Sequence, residues 1–198
     1  MIPLSNKLLT FLTPIFEKKE KNRTHLLKII PKDSICAEIG VWKGDFSRQI
    51  LKVVKPKKLH LIDPWKFIPA YSDRWYGGAI AKGQVDMDEI YNKVRRNFKK
   101  SKKVVVHREF SDKVVKKFKD NYFDFVYIDG DHSYEFVKKD LEGFLPKIKK
   151  GGYLMVDDYA FWKIVLGYGV KKAVDEFVRN HKKIDLRVDG GQAILRVK

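Results

Sequence analysis

The sequence predicts a three-layer α/β fold, with a mainly parallel sheet between two helical layers and an antiparallel C-terminal edge hairpin. Three observations carry this prediction. Short apolar runs alternate with longer amphipathic stretches five times along the chain. The first apolar run passes through a glycine-containing turn straight into a helix start. The chain closes with two short β-rich runs around Asp189-Gly190-Gly191, a hairpin signal.

Residues 5–30 read as mainly helical, with Pro14 marking a break and Lys18-Lys19-Glu20-Lys21-Asn22-Arg23 as solvated surface. Ile35 to Ile39 is the first strand, and Asp45 to about Val54 the helix after it. Leu59 to Asp63 is a short apolar strand ending in a carboxylate. Residues 66–85 break the rhythm. Phe67, Tyr71, Trp75 and Tyr76 alternate there with Pro69, Gly77, Gly78 and Gly83. A loop this long inside a domain is read as a substrate-side lid with glycine hinges; an extra surface helix is the other reading. Asp86 to Lys100 is helical, with Ile90, Val94 and Phe98 on one face.

Lys102 to His107 gives the third strand, and Ser111 is expected to cap the helix that follows. Phe123 to Ile128 is the fourth strand, running into Asp129-Gly130-Asp131-His132. Asp131 is expected to cap the helix from Ser133 to Leu145, which Pro146 ends. Lys149-Lys150-Gly151-Gly152 reads as the turn into a fifth strand, Tyr153 to Val156, followed by Asp157-Asp158-Tyr159. Val170 to Asn180 is the last helix before the hairpin. The whole of 1–198 is expected to form one domain, with 1–30 as an N-terminal helical segment.

Composition narrows the class. A 44% hydrophobic and 13% aromatic content fits a folded core, not a disordered chain. The single cysteine, Cys36, excludes an internal disulfide and reads as a small buried hydrophobe. The apolar N-terminus is interrupted by Asn6, Lys7 and Pro14, so neither signal peptide nor membrane span is expected, and the location is expected to be cytoplasmic. The net charge is +17, from 42 Lys and Arg against 25 Asp and Glu. Lys57-Lys58, Lys102-Lys103, Lys149-Lys150 and Lys182-Lys183 each precede a strand. In parallel strands they collect on the amino edge, where they also offset helix dipoles. Solubility and helix termination explain them. A nucleic-acid partner is disfavoured, though Lys66, Arg74 and Lys82 in the aromatic loop keep it open.

The ends of the strands carry the chemistry. Ligands of open parallel sheets bind at the carboxyl edge. Glu38, Asp63, Asp129, Asp157 and Asp158 all stand there. Gly40 and Gly44 give an E-x-G-x-x-x-G turn, which differs from the G-x-G-x-x-G of dinucleotide folds. It is either a ligand cradle of backbone N–H groups or a plain strand-to-helix turn. Asp63 lies 63 − 44 = 19 positions beyond the second glycine, the place from which an acidic residue accepts from ribose hydroxyls. Asp129, Asp157 and Asp158 end consecutive strands and repel one another unless a cation sits among them. Oxygen-only ligands favour a hard ion such as Mg2+; plain caps and turns are the alternative.

The run Phe123-Asp-Phe-Val-Tyr-Ile-Asp-Gly-Asp-His-Ser-Tyr-Glu-Phe-Val-Lys-Lys-Asp140, with Leu145-Pro146, Gly151-Gly152 and Asp157-Asp158-Tyr159, resembles one family. It is the class I S-adenosylmethionine-dependent methyltransferases, in the branch of macrocin-type sugar O-methyltransferases and cephalosporin-hydroxylase-like proteins. Catechol O-methyltransferase is similar more distantly. With the glycine turn and Asp63, the resemblance covers roughly residues 34–160 and implies a Rossmann-like methyltransferase fold. By it, Glu38, Gly40 and Gly44 meet the methionine part of the cofactor, Asp63 the ribose, and Ser111 the adenine side beside Asp112. Asp129, Asp157 and Asp158 match divalent-metal ligands, and Asp129 stands at both the cofactor and the reacting centre.

The implied reaction is methyl transfer to a hydroxyl of a small molecule, such as a sugar or glycan unit. An RNA or nucleotide methyltransferase and a non-enzymatic binding protein on the same scaffold are the alternatives. His132, on the turn after Asp129, is either the general base or a helix-start histidine bonded to a neighbouring carboxylate. Tyr134 and Trp42 read as packing residues. No membrane partner is expected, and the oligomeric state is not written in the sequence.

Overall fold

The computed structural model describes residues 19–69, 81–160 and 169–198. Helix α1 covers residues 19–26 and passes into a 3-10 turn, Leu27–Ile29. The remaining order is β1 (Ile35–Ile39), α2 (Asp45–Val53), β2 (Lys58–Ile62), α3 (Gln84–Phe98), β3 (Val104–His107), α4 (Ser111–Val114), β4 (Phe123–Ile128), α5 (Tyr134–Phe144), β5 (Ile148–Val156), α6 (Gly169–Asn180), β6 (Ile184–Asp189) and β7 (Gln192–Val197).

These strands form one seven-stranded sheet in the order β3-β2-β1-β4-β5-β7-β6. The pairs β1–β2, β2–β3, β1–β4 and β4–β5 are parallel, whereas β7 runs antiparallel to both β5 and β6. The expected architecture and edge hairpin are therefore observed. The strand order reverses between β1 and β4, which opens a crevice at their carboxyl ends.

Strand alternation divides the core in two. Ala37 and Ile39 face a cluster built with α5 and α6 residues such as Leu141, Phe144, Val174 and Phe177. Cys36, Leu59 and Leu61 face the other cluster, with Phe46, Ile50, Val94 and Phe98 of α2 and α3. Leu26, Leu27 and Ile30 join this second cluster, so the end of α1 is anchored under α2. Cys36 is fully buried there, as read from the sequence, and burial pushes its thiol up.

Two local expectations are corrected. The fifth strand begins at Ile148, not Tyr153, and runs through Gly151-Gly152 instead of turning at them. Its ladder with β4 shifts register between Phe123 and Phe125, so the extra residues are absorbed as a bulge with Gly151 at φ +81°. The lysine-rich run Lys18 to Arg23 is not all solvated surface, because Lys19 and Arg23 turn inward onto the sheet rim. The lid expected at 66–85 falls largely on 70–80, outside the described residues. Its two ends are tied by Gln84, whose side chain accepts from the Phe67 N–H at 2.9 Å and donates to the Trp65 carbonyl at 3.0 Å.

Candidate active site

The parallel ladder continues one residue past each strand. Gly40 N–H donates to Ile62 O (2.9 Å), Asp63 N–H to His107 O (3.2 Å), Asp129 N–H to Ile39 O (2.8 Å) and Asp157 N–H to Ile128 O (3.0 Å). The glycine turn and the acidic residues are thereby held on one carboxyl rim, at the crevice between β1 and β4. Gly40 has φ +83°, and a Cβ there would lie 2.0 Å from the Asp129 carbonyl oxygen. The turn after β1 thus packs directly on the turn after β4, an approach only glycine permits.

Asp63 is 1% exposed and braces this turn. Its Oδ2 accepts from the N–H groups of Val41 (3.0 Å) and Trp42 (2.9 Å), and its Oδ1 from Trp65 N–H (2.7 Å). Trp65 in turn donates its indole N–H to the Trp42 carbonyl at 2.9 Å. Both tryptophans have positive φ, 54° for Trp42 and 41° for Trp65, a conformation these bonds hold in place. Glu38 is buried beneath the first turn of α2 and accepts from the Ser47 hydroxyl. Burial pushes its carboxyl up to about 8, with the Ser47 bond opposing.

Ser111 does not cap α4; Phe110 holds that position without a side-chain bond. The Ser111 hydroxyl instead donates to buried Asp140 on α5 at 2.6 Å. Asp140, whose carboxyl burial pushes up to about 7, stands against Gly130 and so links Ser111 to the Asp129–Gly130 turn. Asp112 points away and pairs with Lys139 at 2.7 Å. Asp131 does not cap α5 either, since its Oδ1 accepts from Ser133 N–H (2.7 Å) in a turn before Ser133, the N-cap residue.

The structure brings Asp129, Asp157, Asp158 and His132 together. Donor atoms of Asp129, His132 and Asp157 all lie within 4.8 Å of one another. Asp158, at φ +57°, stands beside this trio with Oδ2 3.4 Å from His132 Nε2. His132 Nε2 is also 3.7 Å from Asp129 Oδ1. That nitrogen, Asp157 Oδ2 and Asp158 Oδ1 are buried without a well-directed hydrogen bond among the described residues. The convergence of buried carboxylate oxygens from three aspartates, with one imidazole nitrogen beside them, fits a hard divalent ion.

Four further residues complete the cluster, and the sequence reading missed all of them. Lys19 Nζ lies 2.8 Å from Asp157 Oδ2 and 2.7 Å from Asp158 Oδ1. Arg23 donates to Asp129 Oδ2 at 3.0 Å and stacks over the Phe46 ring, 4.3 Å from its centroid. Gln192 donates to Asp157 Oδ1 and accepts from the buried Tyr127 hydroxyl at 2.8 Å. Burial alone would raise Asp157, but Lys19 and Arg23 hold it below the usual carboxylate range. Burial and the Asp157 charge push Asp129 and Asp158 upward. A signal for Lys19 and Arg23 was present, since they stand four apart on one helical face. Gln192 had none beyond its place at the hairpin turn.

A family profile described as a methyltransferase domain matches residues 37–159. No curated protein matches the sequence. Among solved structures, the O-methyltransferase NovP is 22% identical with a TM-score of 0.63, over 89% of this chain and 80% of that one. A putative caffeoyl-CoA O-methyltransferase from Staphylococcus aureus is 13% identical with a TM-score of 0.63, over 98% and 92%. The SAH-bound methyltransferase PaMTH1 of Podospora anserina is 12% identical with a TM-score of 0.63, over 100% and 98%. The glycine turn, strands β2 to β5 and the carboxylate rim all lie within the matched residues, and the chain belongs to the methyltransferase-domain family, as a class I S-adenosylmethionine-dependent methyltransferase.

Proposed function

We propose that the protein transfers the methyl group of S-adenosylmethionine to a hydroxyl of a small molecule, such as a sugar or glycan unit, with a divalent ion assisting. The observation that carries this reading is the convergence of Asp129, Asp157, Asp158 and His132 beside the glycine turn. The O-methyltransferases among the similar solved structures agree with it in fold. Methyl transfer is an in-line displacement, so holding the acceptor oxygen in line with the sulfonium matters most.

The carbon–sulfur bond breaks as the carbon–oxygen bond forms, and the hydroxyl proton must leave. His132 Nε2, buried without a directed partner, accepts that proton. Asp129 and Asp158 flank the ring and stabilise the resulting imidazolium. Asp129, Asp157 and Asp158 would hold a divalent ion, which leaves His132 Nε2 for the proton. Such an ion, when bound, lowers the pKa of a coordinated hydroxyl. Asp63 and Gly40 shape the cofactor-side turn, and Glu38 and Ser47 support it from beneath.

Calorimetry with S-adenosylmethionine, its demethylated product and NAD tests the cofactor side, with binding of the first two expected. An isotope assay with labelled methyl donor, pooled hydroxylated acceptors and bulk RNA, with and without chelator, tests the rest. Small-molecule labelling that chelator suppresses is expected, along with loss of most activity in Asp157→Asn at nearly unchanged cofactor affinity. Tight NAD binding alone, or methylation of RNA only, would overturn the reading.

A further inference from the structure

The chain already carries two cations in its acidic cluster. Lys19 and Arg23 lie on α1, ahead of the matched methyltransferase unit at 37–159. Their side chains are only 12% and 11% exposed. The Lys19 ammonium bridges Asp157 and Asp158, while the Arg23 guanidinium takes Asp129 and approaches Asp157 at 3.9 Å. Those are the oxygens a divalent ion would need.

We propose that Lys19 and Arg23 are tethered counter-cations that decide whether a divalent ion enters the site. Ion and ammonium are alternative occupants of the same carboxylates, so loading of one is release of the other. This inference rests on the metal-assisted reading above and goes beyond it.

The contacts are suited to exchange. Lys19 reaches Asp157 Oδ2 and Asp158 Oδ1 through the mobile end of a long side chain, so an ion can displace the ammonium without moving the strands. The far end of α1 is fixed by Leu26, Leu27 and Ile30 in the core. The helix is therefore anchored by apolar packing at one end and latched by ion pairs at the other. Asn22, on the turn between the two cations, abuts the β6–β7 hairpin, where a Cβ on Gly190 would lie 2.7 Å from the Asn22 Cβ. The latch and the hairpin that carries Gln192 are thus one contact region. Arg23 also covers Phe46 of α2's first turn, which extends the latch toward the glycine turn.

The test uses Mn2+ as probe, read by the free-ion electron paramagnetic resonance signal on the full chain without cofactor. Removing both charges in Lys19→Met/Arg23→Met should tighten Mn2+ binding about tenfold or more, the effect a like charge within about 4–6 Å has on proton affinity. The charge-retaining Lys19→Arg should bind as the unmodified chain does. Adding Asp157→Asn to the double variant should abolish binding. Hydrogen exchange on the unmodified chain needs no variant to fold, and saturating Mn2+ should raise exchange across residues 19–26. Equal affinity before and after charge removal, with Asp157→Asn still abolishing it, would overturn the latch and leave the metal reading intact. No Mn2+ binding by any variant would overturn the metal reading and the latch with it. Unchanged exchange at 19–26 under saturating Mn2+ would overturn the latch alone.

Discussion

Glu38 sits where its type is least at ease in water-excluding surroundings. It occupies the last but one position of β1 and packs against Ser47, with its carboxyl pushed up to about 8 by burial. An unfolded glutamate titrates near about 4.3. Between these values the folded chain holds a proton that the unfolded chain has lost. This contribution is fully present below the unfolded pKa, and stability falls as pH rises through about 8. Glu38→Gln keeps an acceptor for Ser47 and removes the titration. Its melting temperature should fall less between pH 5 and pH 8 than that of the unmodified chain, by the equivalent of a few kcal/mol at most, roughly. Thermal unfolding across that range measures it; parallel curves would mean that Glu38 ionises as freely folded as unfolded. The sequence showed an acidic residue at the head of a glycine turn. It did not show that the side chain points under α2, because strand alternation alone does not say which face the cofactor takes.

At the scale of elements, the β6–β7 hairpin does more than close the sheet edge. Its antiparallel pairing with β5 sets Ala193 opposite Val156, which puts Gln192 beside Asp157. Gln192 then joins the buried Tyr127 hydroxyl of β4 to the Asp157 carboxylate of the next strand. Gln192→Leu fills the space but satisfies neither group. Unfolding in urea should show a loss of about 2–4 kcal/mol, from one buried hydroxyl and one buried carboxylate deprived of a partner. A loss within the error of the extrapolation would mean that solvent or a shifted side chain replaces the amide. The hairpin itself was legible from Asp189-Gly190-Gly191 between β-rich runs. The role of Gln192 was not, because it depends on which strand the hairpin pairs with. The bulged start of β5 escaped for a related reason: paired glycines read as a turn, and only the ladder with β4 carries them through.

Across the whole molecule, the two edges of the sheet differ in their charged groups. Buried acids gather on the carboxyl rim, and the lysine pairs stand at the amino edge: Lys57-Lys58 and Lys102-Lys103 at the starts of β2 and β3, Lys149-Lys150 within the bulged start of β5 and not before it, and Lys182-Lys183 before β6. β6 shares this edge because two antiparallel pairings restore the direction of β5. On that side a cavity of about 680 Å³ opens between α3 and the edge strand β3, lined by Arg95, Arg96 and Lys99 among others. Nucleic acid should therefore bind weakly at this edge and away from the cofactor crevice. Lys102→Glu/Lys103→Glu should abolish it without changing affinity for S-adenosylmethionine, as read by anisotropy of a labelled oligonucleotide and by calorimetry. Binding there should also weaken steeply as salt rises. Loss of cofactor affinity in the same variant would place the polyanion on the carboxyl rim instead. Among the described residues no helix is long and apolar enough to cross a membrane.

The sequence by itself determined the alternation of strands and helices, the parallel sheet with its edge hairpin, and the set of carboxylates at the strand ends. Each follows from local information: periodicity, turn chemistry, and the rule that parallel strands share one carboxyl edge. Tertiary structure alone decided how the charge of those carboxylates is met. The repulsion among Asp129, Asp157 and Asp158 called for a cation, and the sequence placed Lys19 and Arg23 on one helical face without saying that this face meets the rim. More than a hundred residues separate Lys19 and Arg23 from the three aspartates, and only the fold of α1 onto the rim brings them there. Side chains read as solvated surface became part of the site because a buried carboxylate cluster lowers its energy by the nearest cation it can reach.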